Sequence, residues 1–85
     1  MQFAGLEPHK DGSAYSFNLL LSSPSDFEGG GTAFELLGWE KPLSVGRGEA
    51  LLHEGGLMHC GVPVRSGLRY VLVGFLRRNA DANAL

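Results

Sequence analysis

His59-Cys60-Gly61-Val62-Pro63-Val64-Arg65-Ser66-Gly67-Leu68-Arg69-Tyr70-Val71-Leu72-Val73-Gly74-Phe75-Leu76 is the stretch that decides the fold. Apolar residues dominate its C-terminal end, and its middle is broken by Pro63 and Gly67. Proline fixes one backbone angle and removes a donor, whereas glycine admits directions other residues avoid. The expectation is two strands, Leu57 to Val62 and Arg69 to Leu76, separated by a reversal over Pro63 to Leu68 and centred near Val64. The same punctuation recurs toward the N-terminus. Ser16 to Leu21 reads as a strand ended by Ser22-Ser23-Pro24-Ser25-Asp26. After three glycines at 29–31, Thr32 to Leu36 would place Thr32, Phe34 and Leu36 on one face before Gly38 ends it. Pro42 to Val45 and Glu49 to His53 are further candidates, closed by Gly46-Arg47-Gly48 and by Gly55-Gly56.

The whole chain supports that reading. It has 85 residues with 13 Gly and 4 Pro, and its longest intervals free of both, 13–23 and 75–85, are strand-sized rather than helix-sized. Six or seven short strands without a convincing helix indicate an all-β sandwich, jelly roll or small barrel. One domain spans 1–85, with its strands inside 9–76 and a polar tail over 77–85 that reads as a frayed helical turn. A chain of this size buries roughly 60–65% of its unfolded surface, so the core is expected to be thin. Seven basic and nine acidic side chains give a net charge of −2, and no basic run exceeds Arg77-Arg78, which argues against a nucleic-acid partner. The apolar run Tyr70 to Val73, extended past Gly74 by Phe75 and Leu76, falls far short of the roughly 20 residues that span a bilayer. No membrane segment and no signal peptide are read. Cys60, the single cysteine, cannot form an internal disulfide, and the compartment stays open.

Four residues carry candidate chemistry: His9, Asp11, His59 and Arg69. Residues two apart on an extended segment share a side, so His9 and Asp11 can offer an imidazole and a carboxylate to one ion. Taken alone, the pair reads more readily as a surface turn, with Pro8 before it and Gly12-Ser13 after it. A further imidazole at His59 would complete two histidines and one carboxylate, the facial set of non-heme Fe(II) oxygenases, which leaves other metal positions open. His53 competes for that third place, although a structural role suits it better. Arg69, folded back toward His59, would need an anion if buried, and its planar fork fits a carboxylate. On a strand end it would be an ordinary surface charge. Cys60 reads as a small buried hydrophobe, Tyr70 as core, Trp39 as packing over a strand end and Glu28 as solvated.

These residues, with Asn18 to Leu21, Asp26-Phe27-Glu28-Gly29-Gly30-Gly31-Thr32-Ala33-Phe34, Gly48 to Leu52 and the ten-residue step from His59 to Arg69, resemble the catalytic core of the Fe(II)- and 2-oxoglutarate-dependent oxygenases of prolyl 4-hydroxylase and lysyl hydroxylase type. The resemblance covers 9–76, and the Asp-Phe-Glu-Gly-Gly-Gly run looks most like the lysyl hydroxylases. It implies a double-stranded β-helix, a cupin-like jelly roll. It also implies Fe(II) on His9, Asp11 and His59, the distal carboxylate of 2-oxoglutarate on Arg69, and a co-substrate hydrogen bond from Thr32, which reads equally as a β-branched strand residue. The implied activity is a dioxygenase that hydroxylates a peptidyl prolyl or lysyl C–H with dioxygen, converting 2-oxoglutarate to succinate and carbon dioxide, with ascorbate as accompanying reductant. Related hydroxylases are often found in the endoplasmic reticulum lumen.

Only eight residues precede the first candidate ligand, whereas the family normally places strands and helices there. The expectation is a core incomplete at its N-terminus, with open sheet edges, an exposed apolar face and a completing segment or partner chain. A different class of function follows from the same shortness: a non-catalytic, cupin-like metal-binding or interaction module.

Overall fold

The computed structural model describes residues 7–78. Seven strands make it all-β: β1 (Tyr15–Leu20), β2 (Phe27–Gly29), β3 (Thr32–Phe34), β4 (Ala50–Glu54), β5 (His59–Gly61), β6 (Val64–Gly67) and β7 (Val71–Leu76). Among the described residues helical geometry is confined to two short 3-10 turns, Pro24–Asp26 and Glu35–Leu37, and no helix is long and apolar enough to cross a membrane. The tail beyond residue 78, where a helical turn was expected, lies outside the described residues.

One sheet has the order β4-β1-β7, antiparallel throughout. Its register sorts side chains by the strand period of two. Ser16, Asn18 and Leu20 of β1 share a face with Leu51 and His53 of β4 and with Val71, Val73 and Phe75 of β7. The opposite face carries Tyr15, Phe17, Leu19, Leu52, Leu72 and Leu76. Phe17 lies across its partner Gly74, where a Cβ would run into the ring. β1 ends where Ser23 caps the turn Pro24–Asp26, its hydroxyl accepting from the Ser25 amide while Asp26 reaches back to the Ser23 amide.

The second layer is a single bent ladder. β2 pairs with β6 and β3 with β5, both antiparallel. Between them the Gly30 amide donates to Pro63 and the Val62 amide to Gly31, so pairing continues through the corner. A bulge between Glu28 and Gly29, followed by three glycines at φ of 85, 76 and 96°, bends the strand without interrupting it. Only glycine occupies that backbone region cheaply three times in succession. The two layers face each other around a cavity of about 230 Å³, jelly-roll fashion, and Asn18 Nδ2 donates across it to Thr32 Oγ1 at 3.2 Å.

Several expectations need correction. The reversal over Pro63 to Leu68 contains strand β6, Val64–Gly67, rather than being a simple connector, and the glycine run joins the same ladder. Pro42 to Val45 contributes one bridge, Leu43 to Thr32. Thr32 to Leu36 stops being a strand after Phe34, because the turn Glu35–Leu37 follows, and Leu36 swings out to 76% exposure. Tyr70 is 62% exposed rather than core, since the ladder of β7 starts one residue later. Among the described residues the buried apolar set is small, Leu20, Ala33, Phe34 and Cys60, as the length predicts.

Candidate metal centre

Backbone pairing builds the site. His9 and His59 form an isolated antiparallel bridge in which each amide donates to the other's carbonyl at 2.9 Å. Residues directly opposite in such a pair project side chains to one face, which brings together two imidazoles 50 positions apart in sequence. Their ring centroids are 4.5 Å apart. Asp11, two residues on, is anchored by its amide donating to the Gly55 carbonyl at 2.8 Å. Its Oδ1 lies 3.4 Å from His9 Nε2 and its Oδ2 3.3 Å from His59 Nε2. One ligand atom from each residue falls within 4.8 Å of the others.

The hydrogen bonds behind the rings fix their chemistry. His9 Nδ1 meets the Glu7 carbonyl and His59 Nδ1 the Leu57 carbonyl, each at 2.7 Å. A carbonyl only accepts, so each Nδ1 carries the hydrogen, and a neutral ring then turns its Nε2 lone pair toward the carboxylate. Two nitrogen lone pairs facing two carboxylate oxygens repel unless a cation sits among them. That donor set, neutral nitrogen with anionic oxygen and tethered outer ring positions, fits a first-row divalent metal.

Arg69 lines the same cavity. The Tyr70 amide donates to buried Ser22 Oγ at 2.7 Å and its carbonyl accepts from Leu21 at 2.9 Å, which fixes the backbone that carries Arg69. The arginine stem passes Gly30 so closely that a Cβ there would come within 2.8 Å of Cδ, and its guanidinium carbon stands 5.7 Å from the Phe27 ring centroid. Partial burial draws its pKa below the ordinary arginine value; the group keeps its charge at neutral pH. Thr32, buried, also lines the cavity, its hydroxyl oxygen taken by Asn18.

His53 sits beside His9, Asp11 and His59 without joining their cluster. It donates Nδ1–H to the Glu54 carbonyl at 2.8 Å, and its ring packs edge-on to Phe34 and His59, with centroids 5.1 and 4.5 Å away. Cys60 is fully buried, and burial, reinforced by the Glu7 carboxylate, pushes its thiol pKa up. Glu28 is exposed and Trp39 half-buried. Sequence reasoning passed over Ser13, Ser16 and Asn18. For Ser16 and Asn18 the only advance signal is polarity at alternate positions of an otherwise apolar strand; Ser13 precedes the strand and has none.

No protein-family model matches the chain. Similar proteins do, among them the three that follow. A PKHD-type hydroxylase of Synechococcus sp. (strain CC9902) is 41% identical over 61 residues, 72% of this chain and 28% of that protein. The multifunctional procollagen lysine hydroxylase and glycosyltransferase LH3 of Homo sapiens is 41% identical over 75 residues, 84% of this chain and 10% of that protein. Human procollagen-lysine,2-oxoglutarate 5-dioxygenase 2 is 37% identical over the same length, again covering 84% of this chain and 10% of the protein. The chain thus spans between a tenth and under a third of these relatives. With that similarity and this β architecture, the chain belongs to the Fe(II)- and 2-oxoglutarate-dependent oxygenases of the prolyl and lysyl hydroxylase type.

Proposed function

We propose that the chain carries the iron and co-substrate site of a 2-oxoglutarate-dependent dioxygenase that hydroxylates a peptidyl prolyl or lysyl C–H. The observation that carries the reading is the pair of tethered imidazoles whose Nε2 lone pairs meet one carboxylate, with a guanidinium in the same cavity. His9, Asp11 and His59 would hold Fe(II). Arg69 would take the distal carboxylate of 2-oxoglutarate in a bidentate pair, and the Thr32 hydroxyl hydrogen can be offered to the same molecule while its oxygen accepts from Asn18. When bound, the metal and keto acid supply dioxygen activation and the oxidative decarboxylation to succinate and carbon dioxide. The chain's own part is positional: the tethers hold the rings in the neutral tautomer, the Tyr70 backbone fixes Arg69, and the β-layers screen one side of the site from water. Ascorbate would serve as the reductant that keeps the metal ferrous.

Anaerobic titration with Fe(II) and 2-oxoglutarate tests the reading. A visible metal-to-ligand charge-transfer band, followed by succinate when oxygen is admitted, is the expected outcome. A second reading, the non-catalytic metal-binding module, draws on the openness of the cavity along β7, where Val73 is 50% and Phe75 61% exposed. It predicts metal binding without the band, and turnover only after a further segment or partner chain covers that side.

A further inference from the structure

Ser16 has no role in the chemistry above, yet its side chain is 1% exposed within an otherwise open molecule. Its Oγ lies 2.6 Å from Asp11 Oδ2 and 2.7 Å from Ser13 Oγ. An ionised carboxylate only accepts, so the Ser16 proton goes to Asp11 and Ser13 must donate to Ser16. This gives a directed relay, Ser13 to Ser16 to Asp11, ending on an oxygen that also faces His59 Nε2 at 3.3 Å. Without it, the carboxylate would be held through its backbone amide alone and could rotate about its Cβ–Cγ bond. The two histidines have an outer tether each, to Glu7 and Leu57. The relay supplies the equivalent tether for the third ligand.

We infer that Ser16, backed by Ser13, is a positioning residue for the metal centre, fixing the Asp11 carboxylate in the orientation that binds a divalent ion. This rests on the reading of His9, Asp11 and His59 as ligands. Orienting partners of this kind are worth about 10- to 100-fold in metal affinity. Co(II) alone, without keto acid, titrated into the full 85-residue chain and followed by its visible d–d absorption, tests both statements separately. If the wild-type chain or its Asp11→Ala variant behaves alike, neither binding specifically, the ligand assignment fails. If wild type binds and Asp11→Ala does not, the ligand reading stands and the serine variants decide the rest. Ser16→Ala is expected to lose about 10- to 100-fold in Co(II) affinity with an altered d–d band, while the apo thermal midpoint stays within a few degrees. Ser16→Thr, which keeps the hydroxyl, should restore the affinity, and Ser13→Ala should lose only several-fold. Wild-type affinity and spectrum in Ser16→Ala would overturn the inference. Should Ser16→Ala fail to fold, unchanged Co(II) affinity in Ser13→Ala together with lost affinity in a folded Ser16→Thr overturns it equally.

Discussion

Two neighbouring histidines can be told apart by what each ring faces. His53 and His59 are both buried, both donate Nδ1–H to a carbonyl and lie 4.5 Å apart, but only His59 faces His9 across a backbone pair and reaches Asp11. His59→Ala is therefore expected to abolish Fe(II) binding and succinate formation, while His53→Ala retains a substantial fraction of both; the reverse pattern in a paired assay would reassign the third ligand. Arg69→Ala should raise the 2-oxoglutarate dissociation constant by about 100-fold and leave Fe(II) affinity nearly unchanged, because truncating one partner of a desolvated charge pair is costly to the other. Equal losses, measured by calorimetry, would give Arg69 to the fold instead. At this scale two groupings were legible, His9 with Asp11 from the strand period of two and Arg69 with His59 from one reversal; that the two pairs face one cavity rested on the resemblance, because it depends on a backbone bridge between residues fifty apart. Ser16 was not legible, because its hydroxyl matters only once Gly12 and Ser13 have turned the strand back beneath Asp11.

The bent ladder is the element on which the anion side of the cavity depends. Gly30 sits at φ 76° with its missing Cβ pointing at the Arg69 stem. Gly30→Ala should therefore weaken 2-oxoglutarate at least about 10-fold by displacing the guanidinium, with Co(II) affinity at His9, Asp11 and His59 kept, as parallel titrations would show. Within the other sheet, Gly74→Ala forces its methyl into the Phe17 ring and should cost about 1–3 kcal/mol, read from the urea midpoint. β1, β4 and β7 were readable because each is largely apolar with turn residues at its ends, and β5 lay inside the longer run Leu57 to Val62. β2 and β6 escaped notice for the opposite reason: Phe27-Glu28-Gly29 and Val64-Arg65-Ser66-Gly67 have no apolar alternation, and their pairing is imposed by β3 and β5 continuing through the corner. The Pro42 to Val45 candidate shows the converse, a plausible local pattern that finds only one partner, Thr32.

Across the described residues, buried apolar side chains are few: Leu20 on the inner face of the three-stranded sheet, and Ala33, Phe34 and Cys60 on the β3–β5 ladder. Leu20, 2% exposed on the inner face, should cost about 2–4 kcal/mol on replacement by alanine, whereas Leu72, 52% exposed on the outer face, should cost under about 1. Comparable losses in chemical denaturation would mean that the outer face is covered in solution. The all-β class was legible from glycine and proline spacing and the jelly roll from the resemblance, and the shortness of the chain raised the expectation of an exposed apolar face; that β7 borders it depends on how far the two layers close. Last, consider the reciprocal bond between His9 and His59. The two residues bracket most of the chain, so an ion held by both clips shut a loop of some fifty residues that thermal motion would otherwise reopen. Metal at a hundred times its dissociation constant would then add about 2.7 kcal/mol to stability, visible as a raised melting temperature and slower thermolysin cleavage. Proteases sample the opened form in proportion to its population, so the lifetime of this protein in a cell would rise and fall with the local supply of metal.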